Sequence, residues 1–333
     1  MPCSSFNRWA GIMGQTVFDR ILSSCAFAAE RAEFVRINQD YLTEYARILP
    51  VEIAQHPVME SENHFCGDAA ATLAYFVTLD CINFGSGYFG ALRKDPGKTG
   101  YFTVASRLKA ESIRVGGFST QWLRQITAAE CCLIFDQNPE NKMAYELMCL
   151  FAEALNAMAE FLDRSYGGSF GKFIESAGFS AAVLVDQLCQ MPFYRDVFSL
   201  QGREIFLLKR AQITASDLHI VFSGQGYGRF DDIGELTIFA DNLVPHVLLT
   251  DGLLSYSPDL QASIAAGEPL SSGCQAEVEI RACCIHAVEL LRQFYAGVGV
   301  EVCSQGLDYL LWNRGQDEKY RQFPTHVTRC VYY

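Results

Sequence analysis

No apolar run in this chain reaches the roughly 20 residues that a membrane-crossing helix needs; Asp, Glu or Arg breaks each one earlier. No secretory leader is expected from the first residues either. Met1 is followed by scattered polar residues, among them Arg8, Asp19 and Arg20, with no continuous apolar stretch. The expectation is therefore a cytoplasmic protein with no membrane partner. Repeats, low-complexity tracts and long Pro-, Gly- or Ser-rich linkers are also lacking. Charge is sparse: 19% of the 333 residues are charged and half are apolar, which points to a globular chain rather than a disordered one. The length suits one large domain or two small ones.

Metal and cofactor signatures are absent as well. There is no CxxC, no Cys/His group at zinc spacing and no HExxH. No GxGxxG follows a strand, and GxxxxGK(S/T) does not occur. No cofactor and no metal are expected. The 13 cysteines include the adjacent pairs Cys131-Cys132 and Cys283-Cys284 in helical stretches, and most others lie among Leu, Ile, Val and Ala. That distribution reads as reduced core cysteines. Gly224-Gln225-Gly226-Tyr227-Gly228 looks like a phosphate loop but lacks the preceding strand and the Lys-Ser/Thr ending, so a surface turn is expected. The formal net charge of −12 argues against a long polynucleotide partner, whose phosphates call for a basic surface.

What is present is helical periodicity. Over residues 143–164, Met143, Leu147, Leu150, Phe151, Leu155, Met158 and Leu162 recur at three- and four-residue steps before Gly167-Gly168. Ser257-Pro258-Asp259 reads as an N-cap, a first-position proline and an acidic first turn, with Gly267 as the stop. Residues 275–295 carry Val278, Ala282, Ile285, Val288 and Leu291 as one stripe, interrupted by Arg281. Similar patterns cover 69–82, 102–113, 121–129 and 206–222, while 88–101, around Asp95-Pro96-Gly97, suggests a short hairpin. The fold class expected is mainly α: one compact domain, or two helical lobes, around a cleft. Within these apolar stretches stand His64, Asp80, Asn83, Asp217, Asp241, Asp308 and Asn313. Spacing alone leaves each open between cap, solvated side chain, satisfied core polar group and site residue.

A longer pattern narrows the choice. Asp232-Ile233-Gly234-Glu235-Leu236-Thr237-Ile238-Phe239-Ala240-Asp241-Asn242-Leu243-Val244-Pro245 closely resembles the signature of the queuosine salvage proteins, which are queuosine 5′-phosphate N-glycosidases. Leu79-Asp80-Cys81-Ile82-Asn83-Phe84, Tyr166-Gly167-Gly168-Ser169-Phe170, Tyr194-Arg195-Asp196-Val197, Lys209-Arg210-Ala211-Gln212-Ile213 and Glu277-Val278-Glu279-Ile280-Arg281 agree in order. So do Leu307-Asp308-Tyr309-Leu310-Leu311-Trp312 and the closing Arg329-Cys330-Val331-Tyr332-Tyr333. The similarity runs from about Phe27 to the last residue, so 1–26 is expected to be an N-terminal extension and 27–333 a single domain. The resemblance implies a helical fold related to helix-hairpin-helix DNA glycosylases and a hydrolase that releases queuine from queuosine 5′-phosphate for reuse in tRNA. It also implies site residues. Asp241 matches the catalytic aspartate, and Phe239 resembles the residue that contacts queuine. His64 matches a base-contacting histidine, with His56 as its rival because 55–63 looks like a local insertion. Asp308 and Tyr309 match a base-recognition pair, and Asn313 stands where relatives carry Asp.

Queuine is a 7-deazaguanine, so its position 7 is carbon and the usual N7 route to a good leaving group is closed. The protein must then stabilise positive charge on the ribose with a carboxylate and hold the base by its other edges. The 5′-phosphate calls for a cation, and Lys209-Arg210 are the candidates. Neighbours on a helix point about 100° apart, so only one of the two should face a site; Lys209 is the one put forward, though the helical phase does not choose between them. Two other functions fit part of the pattern: a non-catalytic carrier of queuine or its nucleotide, and a glycosylase acting on a base in DNA or tRNA. Net acidity weighs against the second, and the intact Phe239-Ala240-Asp241 weighs against the first.

Overall fold

Where apolar residues recur at helical steps, the chain is helical in the computed structural model, which describes residues 14–55 and 57–333. The helix expected over 143–164 runs Lys142–Tyr166, capped by Asn141 and stopped by Gly167, and it buries Leu147, Phe151, Leu155, Met158 and Leu162. Pro258–Ala265 starts on the Ser257 side-chain cap as expected. Gln275–Gly297 buries its whole apolar stripe, and Val17–Glu30 packs against it through Val17, Ile21, Cys25 and Ala28. Arg281, the expected interruption of that stripe, is itself fully buried. The fold is mainly α, as the periodicity implies, and the described cysteines are all free, with both adjacent pairs buried. Gly226–Gly228 is a short 3₁₀ turn between exposed residues, as expected for that glycine-rich stretch.

Three expectations need correction. Residues 88–101 form no hairpin; Ser86–Tyr88 is 3₁₀, and helix Gly100–Val115 begins where the Thr99 hydroxyl accepts from the Phe102 amide. The hairpin lies instead at Val197–Leu200 and Arg203–Phe206. Its two-residue turn, Gln201-Gly202, has φ of 48° and 79° at the two positions, the sign a tight turn between twisted strands requires. Helix 121–129 is really two, Thr120–Gln125 and Ala128–Ile134. Thr127 opens the second with a capping box in which Glu130 reaches back to its amide. The helix expected over 206–222 is Lys209–Val221, because Phe206 pairs in the hairpin and Leu208 turns the chain at φ 49°.

A second antiparallel pair, Val35–Ile37 with Leu254–Tyr256, joins the start of the chain to its later third. Four helices line the site: Gly100–Val115, Lys209–Val221, Leu243–Thr250 and Ser304–Arg314. Ser304–Arg314 lies directly on the 3₁₀ turn Val51–Gln55. A Cβ on Gly306 would sit 2.1 Å from the Ala54 carbonyl oxygen, so only glycine permits this approach. The stretch after that contact supplies Pro57, Val58, Met59, Glu60 and His64 to the cleft lining. Among the described residues no helix is long and apolar enough to cross a membrane.

Candidate functional site

Two helices each contribute one face. Lys209, Ile213, Ser216, Asp217 and Ile220 recur at three- and four-residue spacings along Lys209–Val221, as do Gln305, Asp308, Tyr309, Trp312 and Asn313 along Ser304–Arg314. Between them runs the extended stretch 237–241. It has no sheet partner, so its backbone is satisfied by side chains. The Thr237 amide donates to Gln212 Oε1 (2.8 Å), the Phe239 amide donates to Asp308 Oδ1 (2.8 Å), and the Ala240 carbonyl accepts from Arg281 Nε (2.9 Å). These walls enclose a cleft of about 430 Å³, within the size range of small-molecule sites.

The cleft gathers the residues singled out from the sequence. His64, Lys209, Phe239, Asp241, Asp308, Tyr309 and Asn313 all line it. His56 lies outside the described residues. Asp241 sits at the start of helix Leu243–Thr250, where its Oδ1 accepts the Leu243 amide at 2.7 Å and the Val244 amide at 3.2 Å. Pro245 has no N–H to satisfy, so this one oxygen serves both free amides of the first three helical residues. Its second oxygen has no donor among the described residues. The cap and the site residue, set as alternatives by the sequence, are thus one geometry. His64 is buried, with Nδ1 2.9 Å from the Glu60 carbonyl oxygen and Nε2 2.9 Å from the Tyr101 hydroxyl, and it stacks on Phe76. Burial pulls its basicity down, against a smaller opposing effect of the Glu60 carbonyl. Asn313 donates from Nδ2 to the Tyr309 carbonyl (2.8 Å).

Lys209 and Arg210 separate as the 100° rule requires. Arg210 faces away from the cleft. It donates to the carbonyls of Phe193 and Val331 (2.7 Å each), Asp80 (3.0 Å) and Cys81, between the rings of Phe84 and Tyr194. Lys209 faces the cleft and is buried. Desolvation lowers its basicity, while Asp241 and Asp308 act to raise it. Asp308 is pushed up to about 7, mainly by burial, with the Asp241 charge adding to the shift and the Phe239 amide and Lys209 opposing it. This acid is poised to change protonation near neutral pH.

Sequence reasoning named Asp80 and Asp217 without giving either a role. Asp80 is fully buried, and neither carboxyl oxygen receives a hydrogen bond from a protein donor. Its neighbour Asp217 lines the cleft. Two carboxylates in contact repel, and a proton on Asp80 donated to Asp217 removes the conflict. Burial and the Asp217 charge raise Asp80 well above the usual carboxylate range. Burial raises Asp217 to about 7, against Lys209 and the Asp80 hydrogen bond. Phe84, Phe89, Phe102 and Trp312 add apolar lining suited to a flat ring.

A helical body holding one aromatic-walled cleft, with carboxylates and a buried lysine converging in it, defines a small-molecule site built for a polar, flat-ringed ligand. Residues 63–333 match the family described as queuosine salvage protein, and the chain belongs to that family. It is 33% identical over 323 residues to a queuosine 5′-phosphate N-glycosylase/hydrolase of Sphaerobacter thermophilus, covering 94% of this chain and 97% of that one. It is 30% identical over 334 residues to the mouse protein of the same name, covering 93% and 97%. A Dictyostelium discoideum protein of that name is 36% identical over 169 residues, about half of each chain.

Proposed function

We infer that this chain hydrolyses the N-glycosidic bond of queuosine 5′-phosphate, releasing queuine and ribose 5-phosphate. The observation that carries the reading is the convergence in one cleft of His64, Lys209, Phe239, Asp241, Asp308, Tyr309 and Asn313, residues scattered over most of the chain. In the reaction the C1′–N9 bond breaks, a water oxygen bonds to C1′, and the proton lost by the water balances the one gained by the base. The sugar passes through an oxocarbenium-like state. Asp241 is the group that meets it. Two amides fix its Oδ1, so the carboxylate is oriented before substrate arrives, and no reorganisation is needed as charge develops.

Phe239 and Tyr309 hold the flat base, with Asp308 at its polar edge and His64 across from them. Asp308 takes one amide from Phe239, which fixes the carboxyl and the ring-bearing residue relative to each other. Lys209, beside Asp241, stands at the sugar end of the cleft and receives the 5′-phosphate. Partial desolvation strengthens that contact. Sequence and site together favour a free nucleotide over a base held in a polynucleotide.

The test is to incubate the purified protein with queuosine 5′-phosphate, queuosine and queuosine-bearing tRNA and to quantify free queuine. The nucleotide is expected to turn over much faster than the nucleoside, and the tRNA not at all. Equal rates on nucleotide and nucleoside would remove the phosphate role of Lys209. Tight binding without release would make the protein a carrier, and release from tRNA would make it a polynucleotide glycosylase.

A further inference from the structure

Two of the segments singled out in the sequence, around Asp196 and Arg281, contribute nothing to the cleft lining, yet they meet behind it. Arg281 has no exposed surface and Asp196 almost none. The guanidinium binds the Asp196 carboxylate in a two-pronged pair, Nη1 to Oδ1 at 2.9 Å and Nη2 to Oδ2 at 2.5 Å. Its Nε donates to the Ala240 carbonyl at 2.9 Å, which is the oxygen of the peptide leading into Asp241. Asp196 Oδ2 also accepts the Lys209 amide at 3.3 Å, and the Asp196 carbonyl accepts the amides of Leu207 (3.1 Å) and Leu208 (3.4 Å). Leu208 is in the left-handed region at φ 49°, a conformation that a leucine adopts only when its surroundings hold it there.

We propose that the buried Arg281–Asp196 pair is a positioning device that fixes the Asp241 peptide and the Lys209 turn at one spacing, so that the sugar and its phosphate are met together. The inference rests on the N-glycosidase reading above. The chemistry of the pair supports it. A buried ion pair is often no more stabilising than apolar residues of the same volume, so stability alone is a weak reason for it. A planar guanidinium, by contrast, presents donors at fixed angles and can hold a carbonyl and a carboxylate at once; an ammonium is a point donor and cannot match both. Glu277 completes the group from the far side, 3.3 Å from Arg281 Nη1, and its other oxygen accepts the Gly273 amide. It touches neither Ala240 nor Lys209, which makes it the internal control.

Arg281→Lys keeps the charge and removes the fork, and Glu277→Gln disturbs the same buried group without a bond to Ala240 or Lys209. Both are assayed on queuosine 5′-phosphate beside the unaltered enzyme, with melting curves and queuine affinity measured in parallel. In Arg281→Lys, kcat per folded molecule is expected to fall about 10- to 100-fold, the order that a small misplacement of a reacting group produces. KM and queuine affinity should stay within about threefold, because the base is held by other residues. Glu277→Gln is expected to melt lower and keep kcat. A kcat in Arg281→Lys equal to that of the unaltered enzyme, or an equal loss in both variants, overturns the proposal and leaves the pair a structural one. If Arg281→Lys does not fold, Asp196→Asn, which keeps the shape and loses the second acceptor, carries the same comparison with Glu277→Gln. An inactive parent enzyme would fail the N-glycosidase reading itself, separately from this one.

Discussion

Two pairs of aspartates meet at this cleft on different terms. Asp241 and Asp308 rest on backbone amides: Leu243 and Val244 for the first, Phe239 for the second. Asp80 and Asp217 have no amide between them and rest on each other, with one proton to share. One wall is therefore oriented by the backbone, while the other is held by the two carboxyl groups themselves. Each pair holds one acid raised to about 7, Asp308 in the first and Asp217 in the second, so the difference lies in orientation: backbone amides fix the first pair and not the second.

The comparison breaks most sharply at Asp241→Asn. An amide keeps an oxygen for the Leu243 and Val244 amides, and Asn caps helices about as well as Asp. Stability should hold within a degree or two, while kcat falls on the order of 10²–10³, roughly 3–4 kcal/mol, as when one electrostatic stabiliser is removed. Single-turnover release of queuine beside a melting curve decides it. A folded variant cleaving near the parent rate would reduce Asp241 to its capping role.

The backbone-oriented wall was also the more legible one. Asp308, Tyr309 and Asn313 fall on one face of a helix by local spacing, and Phe239 and Asp241 sit in a continuous stretch whose resemblance to the family is carried by neighbours in sequence. Caps such as Thr127-x-x-Glu130 are equally local and were available to split 121–129 in two. Relations between distant residues were not legible. Arg281 reads as a flaw in an apolar stripe until Asp196 is placed beside it, and Asp217 reads as a solvated helix residue until Asp80 appears behind it. The hairpin was misplaced for a related reason: Asp95-Pro96-Gly97 is a strong turn signal, but strands need partners, and the residues after it take a Thr99 cap into a helix. Lys209 and Arg210 were separable only in principle, because the helical phase says that they diverge and not which one meets the cleft.

The wall of Asp80 and Asp217 gives a smaller, pH-dependent effect. Asp217 is raised from the ordinary 3.8 to about 7, so the folded protein holds this proton more tightly than the unfolded chain does. Its contribution to stability is fully present below about pH 4 and is lost as pH rises through about 7. Asp217→Asn removes that loss. The variant should melt a few degrees above the parent at pH 8, about 1–2 kcal/mol once screening at this half-buried position is allowed for. The gap should shrink at pH 5. Asp308 also lies near 7, raised in small part by the Asp217 charge, so Asp217→Asn lowers it slightly and adds to the difference in the same direction. Melting curves that stay parallel across this range would show that Asp80 and Asp217 do not share a proton.

The smallest expected effect is at Asn313, on the same helix face as Asp308 and Tyr309. Its Nδ2 donates to the Tyr309 carbonyl one turn back, so one of its two amide hydrogens is spent within its own helix, and the side chain meets the cleft without charge. In Asn313→Asp that donor is gone. The new carboxylate is repelled by the Tyr309 carbonyl and turns towards the cavity, where it adds a negative charge. Queuine carries an amine that is cationic at neutral pH, and a half-buried pair of this kind is worth about 0.5–1 kcal/mol, or roughly two- to fivefold in affinity. Queuine should bind tighter by that factor, with the gain eroding as salt is raised. KM for the nucleotide should fall while kcat and the melting temperature hold, the pattern of an interaction equal in ground and transition states. 7-Deazaguanine, which lacks the amine, supplies the control. If Asn313→Asp changes the affinity of both bases equally, or of neither, the position lies beyond the reach of the amine, and the cation is met elsewhere in the cleft.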